Sequence, residues 1–322
     1  MRHNIKITII LLSMFLITQF IGLYVINSDP FHITEEINNE TIVVSNPSLS
    51  WIQPPEVQQQ SDFGFYLGSL IFAFIFAILL FFLLTRFKID SVLRAWFFVV
   101  IIISLFITFN AIFPKTTYFA IGAGILAIAL AFIKTYRRNM IVHNLTELLI
   151  YPGIATIFVP ILNFWTVIVL LIIISAYDMW AVWHSGIMQK MAKYQMNTLK
   201  VFSGFFVPYV SKKMRMQINK MKKSKLKDKK IKVNLAILGG GDVVFPIITA
   251  GVILQTASIN MPFGFPAFIG GLIPALFVIF GAFIGLALLF SFSEKKKFYP
   301  AMPFITAGIF LGILLYYLFF SL

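Results

Sequence analysis

The spacing of the charges constrains this chain more than any other feature. Only 12% of its 322 residues are charged and 59% are hydrophobic, whereas a soluble domain carries roughly 25% charged residues. The few charges bound long apolar runs. Residues 7–28, 63–85, 95–114 and 116–133 carry no charge at all, and a bilayer core takes about 20 apolar residues of helix. Between Arg138 and Lys190 the only charges are Glu147 and Asp178, leaving room for two spans broken near Pro160-Ile161-Leu162-Asn163. Between Lys232 and Glu294 the only charge is Asp242, again room for two, broken by the stretch from Asn260 to Pro266. Residues 298–322 supply one more. The expected fold is an all-α polytopic membrane protein with nine transmembrane helices.

Charge sorting supports that count. Arg2 and Lys6 precede the first run as in a signal peptide. The run is long, however, and no small-x-small cleavage site follows around Ile26-Asn27-Ser28, so it reads as a retained anchor. With the N-terminus in the cytoplasm, 25 of the 26 Lys and Arg fall in inside segments and only Lys115 lies outside. Such a bias sets topology. Six of the twelve acids, Asp29, Glu35, Glu36, Glu40, Glu56 and Asp62, lie in the first outside loop. Eight or ten spans would scramble this pattern. The expected location is the cell membrane, with the N-terminus and the basic loop inside and the C-terminus outside. The expected division is a six-helix part over 1–200 carrying Asp178, a basic cytoplasmic loop over 201–230, and a three-helix part over 231–322 carrying Asp242.

The net charge of +14 is therefore a topology signal, and the Lys212–Lys232 loop suits anionic lipid headgroups, each basic residue contributing about 1 kcal/mol. No aromatic-interleaved or folded module points to nucleic acid. Cysteine is absent, which removes disulfides, Cys-ligated metal and thiol catalysis. The four histidines, His3, His32, His143 and His184, are scattered, with no zinc-type spacing, and His184 reads as a helix-end polar residue. No cofactor is expected. Asn39-Glu40-Thr41 matches a glycosylation acceptor on the outside loop.

Three acids fall inside expected spans: Glu147, Asp178 and Asp242. A carboxylate at a helix centre costs about 2.5–3.5 kcal/mol to insert, so such residues face a polar interior and act there. The sixth span runs inward and the seventh outward. Asp178 then lies about six to eight residues from the cytoplasmic face and Asp242 about eleven, depths of roughly 9–16 Å at ~1.5 Å per residue. Sequential antiparallel helices bring the two carboxylates to one interface. Glu147 sits nearer the cytoplasmic end of the fifth span, reads as a boundary residue and needs no catalytic role.

Two adjacent carboxylates share a proton. The ionised one can deprotonate a water while the protonated one polarises a carbonyl, and the roles then reverse. The backbone around Asp242 suits that use: Gly239, Gly240 and Gly241 precede it and Pro246 follows. Gly weakens a helix by about 1 kcal/mol, and Pro246 leaves the Asp242 carbonyl without its helical donor. Inside a membrane, such backbone is tolerated only against protein or a water-filled cavity.

These residues resemble a known family. Tyr177-Asp178 is similar to the Tyr-Asp motif of presenilins and signal peptide peptidases, and Gly239-Gly240-Gly241-Asp242 to their Gly-x-Gly-Asp motif. Their third motif, Pro-Ala-Leu at the start of the ninth helix, is matched by Pro300-Ala301-Met302, which follows a basic cytoplasmic segment. The literal Pro274-Ala275-Leu276 is read as a decoy in the middle of the eighth helix. The resemblance implies a presenilin-like fold and an aspartyl protease cutting single-span membrane proteins with Asp178 and Asp242. Its prokaryotic, largely archaeal members are thought to work without accessory subunits. The charge sorting matches the presenilin branch, which takes substrates whose N-terminus lies outside. An exposed strand edge near Lys230–Asn234 or Pro300 would pair with an unwound substrate. The rival reading is a proton- or cation-coupled transporter using the same acids, against which stands the lack of an inverted repeat. A prepilin-peptidase-like enzyme shares Gly-x-Gly-Asp but has a different span plan, and a pure scaffold would leave the acids unexplained.

Overall fold

Apolar runs in a bilayer must satisfy their own backbone polar groups, which makes helix the default. The computed structural model describes residues 5–37, 40–57, 59–87, 89–137, 139–184, 186, 191, 194–199, 201–209, 234–257, 271–293 and 299–320. Among them are nine α-helices. The first six are α1 (Ile5–Asn27), α2 (Asp62–Arg86), α3 (Asp90–Ile112), α4 (Thr117–Phe132), α5 (Met140–Phe158) and α6 (Phe164–Trp183). The last three are α7 (Gly240–Ala257), α8 (Leu272–Phe292) and α9 (Met302–Phe320). All but α7 are long and apolar enough to cross a membrane, α4 when taken with the π-helical turn that continues it to Arg137, and α7 counts as a shorter apolar helix over Gly240–Thr256. The sequence-based boundaries of the first four spans fall within a few residues of α1–α4. The break between α5 and α6 is a 3-10 turn over Val159–Ile161, after which Asn163 caps α6 in a capping box with Thr166.

The bundle is built around α5 and α7. Helix α1 packs on α5, α7 and α8, while α7 also packs on α5, α6 and α8. Helices α3 and α4 lie beyond α5, and α2 lies at the edge of the bundle with Phe81 its only buried residue. Helices α8 and α9 pack most closely of all. A Cβ on Gly281, Gly285, Gly308 or Gly312 would lie 2.1–2.3 Å from a carbonyl oxygen of the facing helix. Small residues spaced four apart on both helices permit that approach.

Two short antiparallel sheets, neither of which the sequence reading foresaw as a pair, complete the described fold. Strands β1 (His32–Ile37) and β2 (Glu40–Ser45) form a hairpin in the first loop. There Lys115 Nζ donates at 2.8 Å to the carbonyls of Ser28, Asp29 and His32, tying the end of α1 to the α3–α4 connection. Strand β3 (Gly204–Tyr209) pairs with β4 (Asn234–Gly239).

Four expectations change. Residues 204–209, placed in the basic loop by sequence, form β3, and Phe205 is buried in the main core. The seventh helix begins at Gly240, because residues 234–239 are strand, so Asp242 lies in its first turn rather than eleven residues in. Pro274 lies in the first turn of α8 rather than its middle. Glu147 is fully buried rather than at a boundary. Asn39, the Asn260–Pro266 break, the Lys212–Lys232 loop, Val233 and Lys295–Lys297 lie outside the described residues.

Candidate active site

Asp178 lies on the last turns of α6, 3% exposed, and Asp242 on the first turn of α7, 8% exposed. The two helices pack together, so both carboxyls are buried at the same end of the α6–α7 interface. The start of α9 completes the cluster. Its first N–H groups have no helical acceptor, and the Met302 N–H donates to Asp178 Oδ2 at 3.0 Å. Asp178 Oδ1 is buried without a hydrogen-bond partner among the described residues. The carboxylate is thus anchored by backbone at the start of α9.

Each residue singled out in the sequence has a definite place. Pro300, Ala301 and Met302 are buried where α9 meets α6, with the Ala301 carbonyl accepting the first helical bond from the Ile305 N–H. Tyr177 is half-buried and packs its ring edge-on against Phe74 of α2, with centroids 5.4 Å apart. The three glycines form a strand-to-helix junction rather than a weak helix interior. Gly239 ends β4, and its backbone lies against the Asp242 carboxylate, where a Cβ would come 3.0 Å from Oδ2. Gly240 is buried, and a Cβ there would meet Ser203 Oγ at 2.8 Å and the Tyr151 ring at 2.9 Å. Gly241 is exposed. Pro246 lies inside α7, one turn after Asp242. His184 ends α6, its N–H bonded to the Trp180 carbonyl.

Sequence reasoning missed several supports. Ser175 and Thr306 share a 2.8 Å hydrogen bond between α6 and α9, about one turn from the Asp178–Met302 contact. Gln19 of α1 donates from Nε2 to the Val243 carbonyl at 3.0 Å, next to Asp242. Both are polar side chains in apolar helices, which is the signal available in sequence. Their partners are backbone or hydroxyl groups far along the chain, so nothing local named the pairing. Glu147 is ion-paired with Lys134, both fully buried, and lies 3.6 Å from His143 Nε2.

A bundle of apolar helices holding two buried carboxyls on adjoining helix ends points to a class, the multi-pass membrane hydrolases that use acid pairs. A family model described as signal-peptide peptidase, presenilin aspartyl protease matches residues 40–322. The chain belongs to that family of aspartyl proteases, and it is an intramembrane aspartic endopeptidase in a multi-pass membrane fold acting on membrane proteins. The fold agrees with a solved presenilin family intramembrane aspartate protease in two crystal forms, at 18% identity in each. In one the TM-score is 0.57, covering 97% of this chain and 99% of that one. In the other it is 0.55, covering 96% of each. No curated protein matches the sequence. Family membership replaces the transporter reading.

Proposed function

We propose that Asp178 and Asp242 are the catalytic pair and that the chain hydrolyses peptide bonds in single-span membrane proteins. The observation that carries this is the burial of two carboxyls on the adjoining ends of two packed helices, one oriented by the Met302 N–H. In the reaction one ionised carboxylate takes a proton from water, whose oxygen attacks the scissile carbonyl carbon. The protonated partner donates to the carbonyl oxygen, giving a tetrahedral diol. In the collapse, one diol hydroxyl returns its proton to the carboxylate that had donated, the C–N bond breaks, and the leaving amine takes a proton from the carboxyl that gained one, which restores the pair to its starting state. Held geometry and an apolar surround supply the acceleration.

The substrate's helix hides its amides, so it must unwind before cleavage. The outer edge of β4, which among the described residues pairs only with β3, supports strand addition as the means of holding the unwound segment. The charge sorting supports a cytoplasmic N-terminus and substrates whose N-terminus lies outside. The archaeal-type resemblance supports action without accessory subunits.

The test is purified wild type against Asp178→Asn and Asp242→Asn, incubated with a single-span peptide in detergent or vesicles, with products read by mass spectrometry. Wild type cleaves, while each folded variant loses at least about a thousandfold in rate. Equal cleavage by wild type and Asp242→Asn removes Asp242 from the mechanism.

A further inference from the structure

In an antiparallel ladder, alternate residues turn their N–H and C=O groups to opposite sides of the strand. Gly204 and Phe206 of β3 turn theirs to α5. The Asn144 side chain meets Phe206 at two points, Nδ2 donating to its carbonyl at 3.0 Å and Oδ1 accepting its N–H at 3.2 Å. At Gly204, the His143 Nε2–H donates to the carbonyl at 2.9 Å and Glu147 Oε1 accepts the N–H at 3.4 Å. The next outward position is Pro208, which has no N–H. The outer edge of β3 is therefore filled by side chains of one helix face and blunted by a proline, so no further strand can add there.

The same face continues toward Asp242. Tyr151, one turn beyond Glu147, packs its ring edge-on against Phe205 with centroids 5.6 Å apart and is the nearest carbon wall to Gly240. Lys134 reaches Glu147 from a wider π-helical turn (Ile133–Arg137) at the end of α4, and both side chains are at most 2% exposed. A buried carboxylate requires such a partner. A polar column thus runs along α5 from His143 to Tyr151, touching β3 at alternate residues and ending at the junction from which Asp242 projects.

We propose that α5 serves as a surrogate third strand: His143, Asn144 and Glu147, with Lys134 neutralising Glu147, are positioning residues that fix β3, through it β4 and the Gly239–Asp242 junction, and so decide which substrate bond reaches the aspartates. The proposal rests on the two-aspartate reading and adds the element that sets the register. Loss of the Asn144 contacts lets β3 and β4 shift relative to α6, so the cut moves or spreads along the substrate. A residue that merely stabilised the fold would lower the amount of active enzyme and leave the cleavage position alone.

The experiment uses full-length protein as wild type, Asn144→Ala, Leu145→Ala on the exposed side of α5, and the double variant Lys134→Met/Glu147→Gln. Each is followed by amide hydrogen exchange over 201–209 and 234–242 without substrate, and by product mass mapping with kcat and KM on a single-span peptide. We expect exchange about tenfold faster in Asn144→Ala at Gly204, Phe206 and the β4 amides. We also expect kcat reduced about tenfold or more with KM changed less than twofold, and products cut at additional or displaced bonds. Leu145→Ala matches wild type in all three. Should Asn144→Ala fail to fold, the double variant carries the same expectation for exchange at Gly204 and for product spread. Wild-type exchange in β4 with an unchanged product map in a folded variant overturns the proposal. If wild type cleaves nothing, the two-aspartate reading is what fails, and the exchange rates alone uphold or overturn the positioning role.

Discussion

Replacing Gly285 by Ala tests whether the α8–α9 contact sets the geometry at Asp178. The added Cβ would lie 2.2 Å from the Phe304 carbonyl oxygen and 3.2 Å from the Ile305 Cα. Non-bonded contacts between carbons relax at about 3.5 Å, so the start of α9 must retreat by roughly 1 Å. Met302, two residues before Phe304, donates to Asp178 at 3.0 Å, and a retreat of that size takes the pair beyond hydrogen-bonding distance. Overpacking of this kind costs about 1–3 kcal/mol. A displacement of 1 Å at a reacting group costs about a hundredfold in rate. The expected outcome is a lower unfolding temperature in detergent together with a fall in kcat of about a hundredfold on a single-span peptide. Gly122→Ala is the control: nothing lies within 4 Å of its Cβ, and alanine in a helix is better than glycine by roughly 0.5–1 kcal/mol. It should be as stable as wild type or more so, and fully active. Gly285→Ala with kcat within twofold of wild type refutes the argument that α9 orients Asp178 through this contact.

Lys134→Met leaves Glu147 buried without its cation and should cost about 3–5 kcal/mol, whereas Lys134→Met/Glu147→Gln should recover most of it; thermal unfolding of both checks this, and equal loss in the two sinks the ion-pair account. Ile237→Pro removes an N–H from the outer edge of β4, because Ile237 faces Phe206, whose own polar groups point outward. Substrate binding should weaken, with KM rising about tenfold while the fold persists, and an unchanged KM argues against strand addition at this edge. Asn234 is a poorer site for that test, since it pairs with Tyr209 across the ladder and proline there would damage the sheet itself. Ser175→Ala removes the hydrogen bond to Thr306 that ties α6 to α9, and should cost about 1 kcal/mol of stability with a smaller loss of rate than Gly285→Ala.

Some of this protein was decided by sequence alone. The burial cost of a charge in a bilayer confines charges to the ends of spans, so the uncharged runs bounded by Lys6 and Asp29, Asp62 and Arg86, Arg94 and Lys115, and Lys115 and Lys134 located α1–α4 directly. The same cost drew attention to Glu147, Asp178 and Asp242 as acids within spans, and the helices carrying the two aspartates, sequential in the chain, do pack together. Helix starts with local chemistry were equally visible: the break at Pro160-Ile161-Leu162-Asn163 before α6, and Pro300-Ala301-Met302 at the start of α9. Tertiary structure decided what depended on partners distant in the chain. Residues 234–239 form a strand because β3, about thirty positions earlier, supplies the ladder, and no apolar period distinguishes six such residues from the opening of a helix. Glu147 could not be told from a boundary residue until Lys134, Gly204 and His143 were placed around it. The four glycines of α8 and α9 acquire meaning only when the two helices approach within carbonyl contact. A residue's own burial cost is a property of its type and neighbours in sequence, whereas a satisfied buried charge, a paired edge or a close approach is a property of two segments at once.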